Sequence, residues 1–216
     1  DSRDPDEIAF REDLEAFEGR LRWRGHFMQK LEDEPRLEFQ NVHRAVDGLR
    51  ERRFDEQRFA AWREGRTGWP MVDACMRSLR ARKWLNFRMR AMVVSIASYP
   101  LWLHWRRPAI ELATHFLDFE PGIHFSQIQM QAGTSGINRL RIYDPTKQAR
   151  EQDPDGAFIR RWVPELRSVP DAWIHAPERM PDREQAKAGC RVGRDYPLPL
   201  VDARRASALA RAKLER

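Results

Sequence analysis

Trp62-Arg63-Glu64-Gly65-Arg66-Thr67-Gly68-Trp69-Pro70-Met71-Val72-Asp73-Ala74-Cys75-Met76-Arg77 spells out a turn followed by a helix. Gly65 and Gly68 suit turn geometry that a side chain would hinder. Pro70 brings a fixed φ and a missing N–H, both tolerated at the first position of a helix. Behind it Val72, Cys75, Met76 and Leu79 recur at helical spacing, which turns them inward. Toward the C-terminus the same grammar repeats. Trp84 to about Trp105 reads as one long, mostly buried helix, or two meeting near Pro100. Pro108 restarts a helix through Phe116, and Phe158–Leu166 is a short one before a proline-rich stretch. Asp202 caps a last basic helix running to Arg216. Toward the N-terminus, Asp4-Pro5-Asp6-Glu7 reads as an N-cap, Pro at N1 and a capping-box Glu. Phe10, Leu14, Phe17 and Leu21 then follow along one helix face. Clean alternating apolar–polar runs are absent. The expected fold is all-α: one multi-helical, irregular domain over residues 1–216, with long connections near residues 33–58 and 119–157.

Composition narrows the function classes. Of the 216 residues, 41% are hydrophobic and 33% charged, enough for a sizeable core. No apolar run approaches the ~18 residues a membrane helix requires. Cys75 and Cys190 make neither a disulfide framework nor a metal site alone, so a reducing cytoplasm is expected. The net charge is +6, carried by 39 cationic side chains of which only five are lysine. Arginine forks fit phosphate bidentately and suit a nucleic-acid partner, although codon usage in a GC-rich genome explains the same richness equally well. GxGxxG, Walker A, HExxH and CxxC patterns are all missing. The six histidines are scattered, so no metal site is expected.

One linear pattern stands out. Trp62-x-x-Gly65-Arg66-Thr67-Gly68-Trp69-Pro70 is followed by Trp84-x-x-x-Arg88-x-Arg90, then Trp105-Arg106, Asp118 and Gln127-x-Gln129. It continues through Arg141-Ile142-Tyr143-Asp144-Pro145-Thr146, Asp155-Gly156-x-Phe158-Ile159-Arg160-Arg161-Trp162-Val163-Pro164-Glu165-Leu166 and Tyr196-Pro197-x-Pro199-x-Val201-Asp202. From about Phe17 to the C-terminus this resembles the FAD-binding domain of the DNA photolyase/cryptochrome family. The resemblance implies a helical domain holding FAD bent, with adenine folded over the flavin. In repair members the excited reduced flavin lends an electron to a pyrimidine dimer flipped out of DNA, since chemistry on a base requires taking it out of the stack.

The resemblance also implies site residues. Arg90 and Asp118 match a salt-bridged pair beside the flavin ring; a buried pair of this kind has a cost unless its geometry is good, so it usually fixes orientation. The same two residues would equally serve as an ion pair between helices. Phe17, Arg24, Asn86, Phe87, Glu120 and His124 fall in the cofactor region, with Arg24 near the phosphates. Trp23 matches a wall of the substrate cavity, where its face stacks on an extruded base, or it is a core tryptophan. Arg20 and Met130 lie on the substrate side, and Arg88 and Arg141 match basic positions near the DNA backbone. Trp105 matches the middle member of a three-tryptophan photoreduction relay, and Trp102 is a candidate for an alternative route, with Trp84, Trp69 or Tyr99.

Several positions depart from the family pattern. Arg20 stands one turn before Trp23, where dimer-repairing members carry a glutamate that accepts from the lesion; a guanidinium only donates. Trp84-Leu85-Asn86-Phe87-Arg88 puts Phe87 where an asparagine usually faces the flavin. Asn86 is about 100° away around a helix, so it does not simply substitute. His124 matches another position near the flavin, where it is expected to donate and to titrate near neutral pH. Ile128 occupies the flavin-proximal relay place and Arg52 the surface place, which breaks the standard relay. The antenna domain and the FAD-phosphate loop of the family precede the matched region and are not in this chain, so it is expected to be the C-terminal part of a longer protein. An antenna chromophore enters only with such an N-terminal domain. The reading is a monomeric, cytoplasmic, light-dependent flavoprotein acting on pyrimidine dimers in DNA, with a cryptochrome-like photoreceptor that binds FAD without repair as the alternative.

Overall fold

The computed structural model describes residues 5–52, 54–136 and 140–215, with side chains from residue 9 onward. Ten α-helices appear among these residues: α1 Pro5–Asp33, α2 Glu56–Glu64, α3 Pro70–Arg82, α4 Phe87–Ser98, α5 Arg106–Ala113, α6 Pro121–Ala132, α7 Pro145–Gln152, α8 Ala157–Trp162, α9 Asp182–Ala188 and α10 Ala203–Leu214. No β-strand occurs among them, and no helix is long and apolar enough to cross a membrane. The fold is all-α.

Helix α3 is the hub, packing against α2, α4, α7 and α8. Val72, Cys75, Met76 and Leu79 are fully buried, as their spacing requires. Asp73 sits among them and its carboxylate ties three segments together. It accepts from Thr67 N at 2.7 Å, Thr67 Oγ1 at 2.6 Å, Gly68 N at 3.1 Å and Tyr196 Oη at 2.6 Å. A fully hydrogen-bonded buried carboxylate is tolerable where a bare one is not. Gly68 takes φ +80°, and a Cβ there would lie 2.4 Å from the Leu198 backbone. That is why the turn before Pro70 holds glycine and why the C-terminal segment can lie across it.

Elsewhere the structure corrects the expected boundaries. The stretch from Trp84 to Trp105 is neither one long helix nor two abutting ones. Asn86 caps α4, accepting from Met89 N at 2.9 Å, so Trp84 lies outside it. The helix ends at Ser98 with Tyr99 as its C-cap, and an irregular segment passes through Trp102 at φ +55°. Helix α5 starts at Arg106, two residues before Pro108, whose missing N–H falls in a first turn that needs no such donor. The expected long connection over 119–157 contains α6 and α7; Pro121 and Pro145 are their N1 prolines, preceded by the caps Glu120 and Asp144. Among the described residues, the connection over 33–58 has no α-helix of its own before α2 and carries two 3-10 turns, at Pro35–Glu38 and Arg44–Val46. Asp202 caps α10 as expected, accepting from Arg205 N at 2.7 Å. The cap expected at Asp4 lies outside the described residues, and Pro5 does begin α1.

The apolar face read on α1 is helical but not buried. Phe10, Leu14, Phe17 and Leu21 are 46–66% exposed. Contact with α6 comes from the other end of α1, where Gly122 lets the helices approach. A Cβ on Gly122 would lie 2.5 Å from the Phe27 carbonyl oxygen.

Candidate functional site: an arginine-rimmed aromatic cavity

Helices α1, α4 and α6 line a cavity of about 450 Å³, together with Leu112, Phe116, Arg141 and Tyr143. Helix α6 supplies His124, Gln127, Ile128 and Gln131, an i, i+3, i+4, i+7 face. Helix α1 supplies Arg20, Trp23, Arg24 and Phe27, and α4 supplies Phe87, Arg90, Ala91 and Val94. Ser95 pins the strap opposite: its Oγ donates to Arg141 O at 3.1 Å and accepts from Tyr143 N at 3.0 Å.

Arg90 is held on three sides. Its Nη2 reaches both oxygens of Asp118, at 3.0 and 2.8 Å, its Nε donates to Leu85 O at 2.7 Å, and its Cζ lies 4.1 Å from the Phe116 ring centre. The expected pair therefore forms, but it is not buried: the side chains are 27% and 53% exposed. It orients Arg90 without the desolvation cost of an interior pair.

His124 is buried, with Phe116, Phe119 and Phe125 rings around it at 5.1–6.2 Å. Its Nε2 lies 2.8 Å from Ala109 O. A carbonyl only accepts, so Nε2 carries the proton and Nδ1 is an acceptor. Burial pushes its pKa below the usual histidine value, with Arg90 adding to the shift and the Ala109 bond opposing it. His124 was expected to donate near the flavin and to titrate near neutral pH; its Nε2 donor is instead engaged by Ala109 O, and burial moves its titration downward from the ordinary histidine value.

The other expected residues divide. Arg20, Trp23, Arg24, Phe87, Arg90, His124, Met130 and Arg141 share the cavity. Trp23 is 59% exposed and stacks on Phe27 at 5.8 Å with an interplanar angle of 29°, so it is a residue of the cavity rim and not of the core. Phe17, Asn86, Arg88 and Glu120 do not line the cavity. Phe17 belongs to the exposed face of α1. Asn86 spends its Oδ1 capping α4, and Glu120 caps α6, accepting from Gly122 N at 3.2 Å and Ile123 N at 2.8 Å. Arg88 is exposed. Trp105 lies fully buried behind the wall; its ring contacts are His104 at 5.5 Å and Phe125 at 6.4 Å. Trp102 lies apart, beside α10. Gln127, Gln131, Tyr143 and Phe27 were not anticipated; the periodic face of α6 and the i+4 spacing of Trp23 and Phe27 carried the signal.

The donor set fits a flavin dinucleotide. Three guanidiniums, from Arg20, Arg24 and Arg141, offer forks for a pyrophosphate, Arg90 being engaged by Asp118 and Leu85 O, and Trp23, Phe27, Phe87 and Phe116 offer faces for planar rings.

Comparison with known proteins agrees. Residues 17–216 match the family described as the FAD binding domain of DNA photolyase. A deoxyribodipyrimidine photo-lyase of Alkalihalophilus pseudofirmus is 34% identical over 192 residues, covering 87% of this chain and 40% of that one. Cryptochrome-1 of Arabidopsis thaliana is 40% identical over 149 residues, covering 68% of this chain and 22% of the relative. Among solved structures, a class III photolyase from Agrobacterium tumefaciens superposes with a TM-score of 0.85 at 32% identity, covering 94% of this chain and 42% of that one. The chain belongs to the photolyase/cryptochrome family, as its FAD-binding domain, and its cofactor is FAD. It spans about two-fifths of the length of the photo-lyase relative it matches.

Proposed function

We propose that the cavity between α1, α4 and α6 holds FAD in a light-dependent enzyme that repairs pyrimidine dimers in DNA. The carrying observation is the cavity itself, which places cationic forks and aromatic faces around one concave space. When bound, FAD supplies light-driven one-electron transfer. The residues of this chain bind and orient. Arg24 and Arg90 face anionic or electron-rich groups, and Asp118 keeps Arg90 from swinging away. His124 engages Ala109 O through Nε2 and leaves Nδ1 for the ligand. Trp23 presents an aromatic face to an extruded base, worth about 1–3 kcal/mol when stacked. Arg141, and Arg20 on the α1 side, reach toward phosphates at the rim. Trp105 is an internal electron donor outside the standard relay, with Ile128 in the place nearer the flavin, and Arg88 is a second backbone contact outside the cavity. DNA carrying pyrimidine dimers is the partner. Cys75 and Cys190 are both free and buried, which suits the reducing cytoplasm we assign.

A photoreceptor without repair is the second reading, and one observation favours it: Arg20 lines the cavity and can only donate, so no carboxylate at that place accepts from a lesion. The deciding experiment measures flavin absorption after reconstitution, then binding to dimer-containing and undamaged DNA, then recovery of thymines under blue light. Lesion preference with recovery supports repair. Bound flavin with neither lesion preference at any salt nor recovery replaces repair by the photoreceptor. No bound flavin defeats both.

A further inference from the structure

Trp102 and Trp105 are three residues apart and sit in opposite electrostatic settings. The Trp105 indole Nε1–H donates to Asn41 Oδ1 at 2.7 Å. Asn41 is itself buried, and its Nδ2 donates to two carboxylates, Asp47 Oδ1 at 2.9 Å and Glu51 Oε1 at 2.8 Å. Those acids are anchored in turn, Asp47 by Arg44 Nε at 2.7 Å and Glu51 by the Arg50 backbone N–H at 2.9 Å. An amide whose hydrogens face two anions is polarised, and the oxygen it turns to Trp105 becomes a stronger acceptor. Trp102 instead stands between cations. Arg50 Cζ lies 4.7 Å and Lys213 Nζ 4.4 Å from its ring centre. Arg50 is buried, donates through Nη1 to Ala132 O at 2.9 Å, and among the described residues has no partner for Nε or Nη2.

We propose that Asn41, backed by Asp47 and Glu51, is a positioning residue that holds the electron vacancy on Trp105 and, with Arg50 and Lys213 repelling it from Trp102, fixes where the chain is oxidised. This rests on the flavin reading above. In the step, one electron leaves the Trp105 indole for a one-electron oxidant, which would be the photoexcited flavin across Ile128 when FAD is bound. The Nε1 proton stays on the indole, because a carboxamide oxygen accepts a hydrogen bond without accepting the proton. The resulting positive charge on Trp105 faces the polarised amide and two carboxylates. The same charge on Trp102 would face two cations, which already stabilise the neutral ring through cation–π attraction.

The test has a flavin-free arm. The chain is photo-oxidised with tris(bipyridine)ruthenium and persulfate, and tryptophan radicals are read by electron paramagnetic resonance and transient absorption. The wild type is expected to give a protonated tryptophan radical that Trp105→Phe removes and Trp102→Phe leaves. Asn41→Leu should lower its yield about tenfold, the equivalent of ~59 mV for a one-electron couple. Glu51→Gln keeps an acceptor for Asn41 Nδ2 and gives up the bond from the Arg50 N–H, so the charge is lost while Asn41 stays in place; its yield should fall about threefold. Yields unchanged in Glu51→Gln, with wild-type circular dichroism, overturn the proposal, as does a signal that survives Trp105→Phe. In flavin-loaded protein, Asn41→Leu should slow blue-light bleaching by the same factor. If no flavin binds, the reading of the cavity fails while the radical yields still decide the role of Asn41.

Discussion

The inner wall of the cavity and its rim are built from the same residue types and behave differently. On the wall, Arg90 and His124 are each committed to protein partners: Arg90 to Asp118, Leu85 O and Phe116, His124 to Ala109 O. On the rim, Trp23 is more exposed than buried and stacks on Phe27, and Arg141 is exposed with its backbone pinned and, among the described residues, no side-chain hydrogen bond or ion pair. A committed group has one orientation before any ligand arrives, so its effect is preorganised. An uncommitted group contributes charge and surface, and its effect depends on salt and on what docks. The wall therefore governs the cofactor and the rim governs the larger partner.

The sharpest way to break this comparison is to separate the helices that make both. Gly122→Ala would place a Cβ 2.5 Å from the Phe27 carbonyl oxygen and 3.0 Å from Met28 Cα, both backbone atoms. Helix α1 has to retreat from α6, at about 1–3 kcal/mol for overpacking. Wall and rim should fail together, seen as a lower Tm and lost flavin content. Unchanged Tm and flavin content would mean that the close approach of α1 and α6 does not shape the cavity.

Single substitutions should then separate the two. Trp23→Ala is expected to cost about 1–3 kcal/mol of lesion discrimination, a lost stacking face, and to leave Tm and flavin content nearly unchanged because the ring is largely exposed. A flavin-depleted Trp23→Ala protein would move Trp23 from the rim to the wall. Asp118→Asn is expected to change stability by about 1 kcal/mol or less, since the pair is half in solvent. Arg90 keeps Leu85 O and Phe116 but loses its orienting charge, so flavin retention or its redox behaviour should shift more than folding does. Titrating flavin release by absorbance alongside thermal melts checks both halves; equal effects on each would make Asp118 a plain inter-helix partner.

The wall was more legible in the amino-acid pattern than the rim, for physical reasons. Arg90, Asp118 and His124 belong to a spaced motif, and internal bonds keep that spacing meaningful. Their protonation and burial were not legible: the commitment of His124 Nε2 depends on Ala109 O, fifteen residues away on another helix. Helix identity was readable at α3 because proline, glycine and apolar spacing agree there. At α1 the same spacing marked a helix but not a buried face, because periodicity says which residues share a side and not what lies opposite. The irregular turn at Trp102 left no trace in composition, since a non-glycine residue with positive φ is chosen by its surroundings. Asn86 and Glu120 were placed near the cofactor by position alone, and the backbone N–H groups at two helix starts claimed them instead.

The smallest expected effect is also the cleanest test of the rim. Arg141 is exposed and holds its place through its carbonyl oxygen, which accepts from Ser95 Oγ at 3.1 Å and Gln131 Nε2 at 2.7 Å. Arg141→Ala keeps that backbone anchor, so the cavity wall and the flavin should be untouched. What is lost is one cation near a phosphate. Neutralising a phosphate releases condensed counterions, so removing one contact should reduce the slope of log binding against log salt by about one unit. Dimer-containing and undamaged DNA should weaken alike, because a phosphate contact carries no lesion information. Trp23→Ala should do the reverse, erasing the preference at unchanged slope. If Arg141→Ala weakens only the damaged duplex, with the slope unaltered, the residue touches the extruded base, and the division between wall and rim has been drawn in the wrong place.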